Sequence, residues 1–211
     1  MDGDSSKTLF LTAVGHDMRQ PLHALLLYLS ALERRVTDAE AREVLGKADR
    51  AAQSLAGMIE GLIQLARLDA GKVEPELERV SLKALFDDLL AGAPHATADA
   101  TNLYVHSDPV LLETIIQHLV TNAVQHGGGA AHLSAEERDG AVEIRVRDSG
   151  PGIAPEDQEK IFAEFARLNA SEGLGVGLTI ANKLAALMQH KIEVHSERGQ
   201  GATFIVRASS G

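Results

Sequence analysis

Apolar residues in the first third of the chain keep a seven-residue rhythm. Leu11, Met18, Leu22, Leu25, Leu29, Leu32 and Val36 fall on the two inward positions of a heptad, and Gly15 fills the remaining slot. The spacing predicts a helix from a cap at Ser5 and Ser6 to about Val36. Thr37 and Asp38 read as a turn with a fresh N-cap. A second helix is expected over 39–69, with Val44, Ala48, Ala51, Leu55, Met58, Leu62 and Leu65 at spacings that alternate between four and three. Ala70 and Gly71 close it, glycine being common just past a helix end. One hairpin cannot cover an apolar stripe on each of its helices. Two hairpins paired as a four-helix bundle can, so a homodimer through this segment is expected. The competing arrangement docks the hairpin on the rest of its own chain.

After Gly71 the pattern changes. A linker and a short edge strand are expected within 74–80, and Ser81 caps a helix to about Leu90. Residues 91–102 are small and polar and read as structureless, with little left for a strand; 103–106 form a strand. Asp108 and Pro109 open a helix to about His126, stopped by Gly127, Gly128 and Gly129. Strands are expected at 130–135 and 142–147, joined through 136–140; in the second, Val142, Ile144 and Val146 alternate with charge. A helix over about 175–188 follows, then strands at 191–196 and 203–208. The expected class is α plus α+β: a helical hairpin forming a dimeric four-helix bundle, then an α/β sandwich with a mostly antiparallel sheet and helices on one face. The expected domains are residues 5–69 and 72–208.

Length and composition narrow this further. The 211 residues suffice for one large or two small domains. Hydrophobic residues make up 45% and aromatic residues 3%, with no Trp, so the core is aliphatic. A formal net charge of -10 argues against nucleic acid and against an anionic membrane surface as partners. There is no cysteine, hence no disulfide and no thiolate metal site. No apolar run is long enough to span a bilayer and the N-terminus lacks a signal-peptide pattern, so a cytoplasmic location without membrane contact is expected.

Candidate chemistry lies at four places. His16 follows the inward Gly15 and so points outward, beside Asp17; an exposed imidazole next to a carboxylate is a candidate nucleophile. Asp148, Gly150 and Gly152 follow a strand: glycines admit a flat ligand and the carboxylate can accept from an exocyclic amine such as that of adenine. Gly173, Gly175 and Gly177 precede a helix, where backbone N–H groups and the helix N-terminus favour an anion. Asn122 offers a carboxamide oxygen to Mg²⁺. Taken singly, the loops are ordinary turn chemistry and Asn122 an ordinary solvated side chain. His95, His106, His126, His132, His190 and His195 show no metal-ligand spacing.

Their order resembles the transmitter core of a two-component sensor histidine kinase. Residues 16–22 match its H box, Asn122 the N box, 148–152 the first glycine box, 161–165 the F box and 173–177 the second glycine box. Residues about 5–69 resemble the dimerisation and phosphoacceptor domain. Residues about 72–208 resemble the Bergerat-type ATP-binding domain shared with gyrase, Hsp90 and MutL. The resemblance implies ATP-dependent phosphorylation of His16, with Asp17 fixing the tautomer and Asn122 holding Mg²⁺. It implies that Asp148 selects adenine and that the N–H groups around Gly173, Gly175 and Gly177 hold the phosphates. Phe162 and Phe165 would pack a lid. The phosphate then passes to an aspartate of a response-regulator receiver domain, docked near Arg19, Gln20 and His23, and Pro21 implies a bend that lets the kinase domain approach. The chain departs from the family at Gln20, where Thr or Asn is common and bears on phosphatase activity. It departs again at Gln125 in place of a Lys, at His118 in place of a second Asn, and in a short lid with seven residues between Phe165 and Gly173. These departures motivate the alternative, a degenerate kinase serving as a dimeric signalling scaffold. A Bergerat-type ATPase or serine kinase without phosphohistidine is a third reading, disfavoured by the H-box match.

Overall fold

The computed structural model describes residues 2–166 and 175–210, with residues 2–17 described in backbone alone. Among the described residues, 2–73 with 175–176 fall in one compact unit and 74–166 with 177–210 in another. The first is a helical hairpin. α1 (Asp2–Glu33) starts ahead of the serine pair expected to cap it and continues as one helix through Pro21, whose ring nitrogen cannot donate to the carbonyl of Asp17. α2 (Ala39–Asp69) begins where the turn chemistry placed it. Asp38 is extended at φ -67° and ψ 134°, and its side chain accepts from Ala41 N at 2.8 Å. Past its end, Gly71 takes a φ of 61°.

The packing inside the hairpin divides the apolar positions. Leu22 and Leu29 of α1 are buried against Ala52, Ile59 and Ile63 of α2, with Leu26, Leu45 and Ala56 half-covered around them. Met18, Leu25 and Leu32 stay 44–48% exposed. On α2, Val44 and Leu55 of the expected seam are 61% and 45% exposed. Toward the turn, the seam read from spacing on α2 is therefore not the face that meets α1, whereas Leu65 near its far end is buried. The two stripes stand about a quarter of a turn apart around the helix, at 3.6 residues per turn. A cavity of about 490 Å³ at the turn end is lined by Leu32, Val36, Val44 and Leu45, continuing the uncovered stripe.

The second unit begins with β1 (Glu78–Ser81), antiparallel to β3 (Tyr104–Ser107). Ser81 caps α3 (Leu82–Gly92). β2 (Ala96–Ala98) corrects the structureless expectation for 91–102: it lies parallel to β4 (Ala131–Arg138), Ala96 opposite Ala131. Three small residues show no alternation; the strand exists because β4 supplies its hydrogen bonds. α4 (Pro109–His126) starts at Asp108, whose Oδ1 accepts from Val110 N and Leu111 N at 2.9 and 3.0 Å. β4 and β5 (Ala141–Arg147) run longer than expected and meet at a two-residue turn. Asp139 and Gly140, at φ 53° and 78°, give the left-handed pair that matches strand twist in a tight hairpin. Two short 3-10 turns, Pro155–Asp157 and Lys160–Phe162, follow. α5 (Gly177–Leu187), β6 (Lys191–Ser196) and β7 (Ala202–Ser209) complete the unit.

The main sheet has the order β2-β4-β5-β7-β6 and is antiparallel except for β2 with β4. Val142, Ile144 and Val146 of β5 are buried, as are Leu112, Ile115, Ile116 and Leu119 of α4 and Ile180 and Leu184 of α5. This aliphatic core carries one aromatic pair, Phe162 edge-on to Phe204 at 6.4 Å between centroids. Arg145, next to Ile144 in β5 where side chains alternate between faces, bonds the buried Glu143, which Arg207 also meets at 2.8 Å.

Candidate nucleotide site

β5 delivers Asp148 to the edge of the core, 6% exposed. Its Oδ1 accepts from Gly150 N at 2.9 Å and from Ala202 N at 3.1 Å, while its own N–H donates to Ala202 O. Among the described residues nothing bonds Oδ2. One oxygen is thus spent on holding the loop and the other is left to accept from a ligand.

Around Asp148 the backbone crosses itself so closely that only glycine fits. A Cβ on Gly127 would stand 2.3 Å from Asp148 Cβ, and one on Gly150 would stand 2.5 Å from Gly127 Cα. On Gly152 it would meet Glu197 O at 2.0 Å, and on Gly201 it would meet Asp148 O at 2.2 Å. Gly150 and Gly152 were candidates from the sequence. Gly127 and Gly201 read there only as turn residues; their signal was position, one directly after the helix of Asn122 and the other directly before β7. The loop is fastened further by Ser196, whose Oγ accepts from Ile153 N and donates to Gly201 O, both at 2.7 Å. Gln158 Nε2 donates to Ile153 O and Ser196 O.

One helix abuts this loop and a second rests on that helix. Ser149 N donates to Gly127 O at 3.2 Å, so the end of α4, which carries the half-buried Asn122, abuts the Asp148 loop. The start of α5 rests on α4 one turn earlier, where a Cβ on Gly177 would lie 3.3 Å from His118 Nδ1. Burial lowers the His118 imidazole from the usual histidine value, and its Nε2 is buried with no hydrogen-bond partner among the described residues. Gly175 takes a φ of 69° just before α5. Asn122 thus sits on α4, which touches both the loop of Asp148, Gly150 and Gly152 and the start of α5 at Gly177.

In the hairpin, Gln20 is exposed and its neighbour Arg19 pairs with Glu60 of α2. The backbone of His16 and Asp17 is helical; their side chains, and all of Gly173 and Arg167, lie outside the described residues. No group of three or more His, Cys, Asp or Glu stands together among the described residues as a metal cage. The half-buried Asn122 offers one carboxamide oxygen, a donor of the kind Mg²⁺ takes when phosphate oxygens and waters complete its shell.

Known proteins share this layout. Residues 6–71 match the His Kinase A (phospho-acceptor) domain, and residues 107–210 the histidine kinase-, DNA gyrase B- and HSP90-like ATPase family. The chain is 32% identical to the sensor-like histidine kinase SenX3 of Mycobacterium tuberculosis, over 95% of this chain and 53% of that protein. It is 29% identical to the signal transduction histidine-protein kinase BarA of Escherichia coli, over 94% of this chain and 24% of BarA. The chain spans about half the length of SenX3 and about a quarter of that of BarA. Full-length ShkA, crystallised in complex with AMPPNP, superposes with a TM-score of 0.76 at 28% identity, covering 95% of this chain and 45% of ShkA. The Acinetobacter baumannii histidine kinase AdeS shares the fold at a TM-score of 0.61 and 24% identity, covering 92% and 97% of the two chains. With a phospho-acceptor domain followed by a kinase-type ATPase domain, the chain belongs to the two-component histidine kinases, as a transmitter core.

Proposed function

We propose that this chain uses ATP to phosphorylate its own His16 and passes the phosphate to an aspartate of a response-regulator receiver domain. Residues 5–69 serve as dimerisation and phosphoacceptor domain, and 72–208 bind the nucleotide. The observation that carries the reading is Asp148: an acceptor oxygen left over beside glycine walls, in a loop that abuts the end of a helix bearing a carboxamide. The AMPPNP complex of ShkA, an ATP analogue on a related fold, supports the same ligand class.

Asp148 Oδ2 accepts from the adenine amine. The N–H groups at Gly173, Gly175 and Gly177, with the positive end of α5, hold the phosphates. Asn122 holds Mg²⁺, which supplies neutralisation of phosphate charge. His16 Nε2 attacks the γ-phosphorus in line; the N–P bond forms, the bond to the β,γ-bridging oxygen breaks, and ADP leaves. Asp17 takes the hydrogen bond from the other ring nitrogen and so favours the reactive tautomer. Gln20, Arg19 and His23 lie on the docking surface for the receiver, with Gln20 able to orient water on its phosphoaspartate. The hairpin pairs with a second copy through the stripe of Met18, Leu25, Leu32, Val44 and Leu55, which the hairpin itself leaves uncovered. A cytoplasmic placement accords with the finding that no helix among the described residues is long and apolar enough to cross a membrane.

Incubation with Mg-ATP tests the reading. Acid-labile, base-stable phosphate is expected on the wild type and none on His16→Ala or Asn122→Ala. A wild type that takes no label overturns it in favour of the scaffold; label that survives His16→Ala overturns it in favour of a kinase without phosphohistidine.

A further inference from the structure

Thr179 is the third residue of α5, 3% exposed, in a helix whose neighbouring buried positions are aliphatic. Its Oγ1 lies 3.1 Å from Phe162 O and 3.0 Å from Ala163 O. A hydroxyl has one proton, so the two carbonyls share it. These carbonyls sit where the second 3-10 turn ends and the chain leaves it: Ala163 is extended at φ -73° and ψ 150°. A second link runs in parallel on the surface, Lys183 of α5 to Glu164 at 2.9 Å, both partly exposed and so worth little. From the opposite side the first turn of α5 bears on the His118 ring of α4. The N-terminal turn of α5 is therefore clamped between two elements, and the Thr179 hydroxyl is the buried part of one jaw.

We infer that Thr179 is a positioning residue of the nucleotide site, using its hydroxyl to fix the first turn of α5, and with it the phosphate-facing N–H groups, against the 162–163 backbone. The inference rests on the proposed ATP site. Valine has the same shape and no proton to give; its methyl removes the bond that ties α5 to the Phe162 and Ala163 carbonyls, the second of which still accepts from Ala166 N, and leaves the first turn unpinned. Serine keeps the proton. Loss of one buried hydrogen bond of ordinary strength corresponds to about five-fold in affinity.

Titration calorimetry with Mg-ATP on the full chain tests this, with thermal melting of the nucleotide-free protein alongside. Thr179→Val is expected to bind ATP about five-fold more weakly or worse, and Thr179→Ser within about two-fold of wild type, both variants melting as folded proteins. Unchanged affinity in Thr179→Val overturns the inference, as does a Thr179→Ser as weak as Thr179→Val. If Thr179→Val does not fold, Thr179→Ser and Thr179→Cys decide: Ser near wild type with Cys weakened supports the role, and the two alike refute it. A wild type that fails to bind ATP defeats the proposed function instead, which separates the two failures.

Discussion

Replacing Asp148 by asparagine changes one atom where it matters. The amide oxygen can still accept from Gly150 N and Ala202 N, so the loop keeps its anchor. The outward oxygen becomes an NH₂ and presents a donor to the adenine amine. Asp148→Asn is therefore expected to weaken ATP binding about ten-fold or more, the worth of a charged acceptor, while the melting temperature stays within about 2 °C. Two buried histidines give a different residue-scale expectation. Burial holds His118 and His190 below the usual histidine value of 6.5, with His106 adding to the effect on His190. His190 Nε2 shares a hydrogen bond with the buried Ser107. The unfolded chain takes up these protons first. The associated stability is complete above a pH of 6.5, the unfolded histidine value, and is lost as pH falls toward the folded values. Melting scans from neutral to mildly acid pH should show a falling melting temperature, with a shallower slope in His190→Gln; a flat profile in the wild type refutes this.

At the scale of elements, α2 carries a glycine that its surroundings do not require. A Cβ on Gly57 would meet nothing within 4 Å, and the residue is exposed in the helix interior. Gly57→Ala is expected to raise stability by about 0.5–1 kcal/mol, read as a higher urea midpoint with unchanged slope. Gly127 and Gly201 stand at the other extreme, each with backbone or Asp148 atoms where a Cβ would go. The start of α2, Ser81 before α3 and Asp108 before α4 were readable from the chain because capping is a property of three or four consecutive residues. The strand at Ala96–Ala98 was not, because its cause lies in β4, more than thirty residues on.

For the whole molecule the decisive quantity is the stripe left open on the hairpin. Leu25 and Leu55, 44% and 45% exposed, belong to it. Sedimentation equilibrium is expected to give a dimer for the wild type. Leu25→Glu combined with Leu55→Glu is expected to weaken association on the order of 100-fold, since each buries an unpaired charge. A wild-type monomer at micromolar concentration would remove the dimer from the proposed function. Heptad spacing alone announced that two apolar positions exist per helix. It did not say that one row, with Leu22 and Leu29, closes the hairpin while the other stays uncovered in the single chain.

What the chain determined by itself was local or ordinal: helix and strand periods, caps, glycine stops, and the order of His16, Asn122, Asp148 and the glycines that marks the family. Those depend on neighbours a few residues apart. Tertiary structure alone decided which face of α2 meets α1, that 96–98 is a strand, and that Gly127 and Gly201 wall the Asp148 loop. Each is set by backbone from a distant part of the chain. Close approach and strand pairing are relations between segments, and a pattern along one segment carries no record of the other.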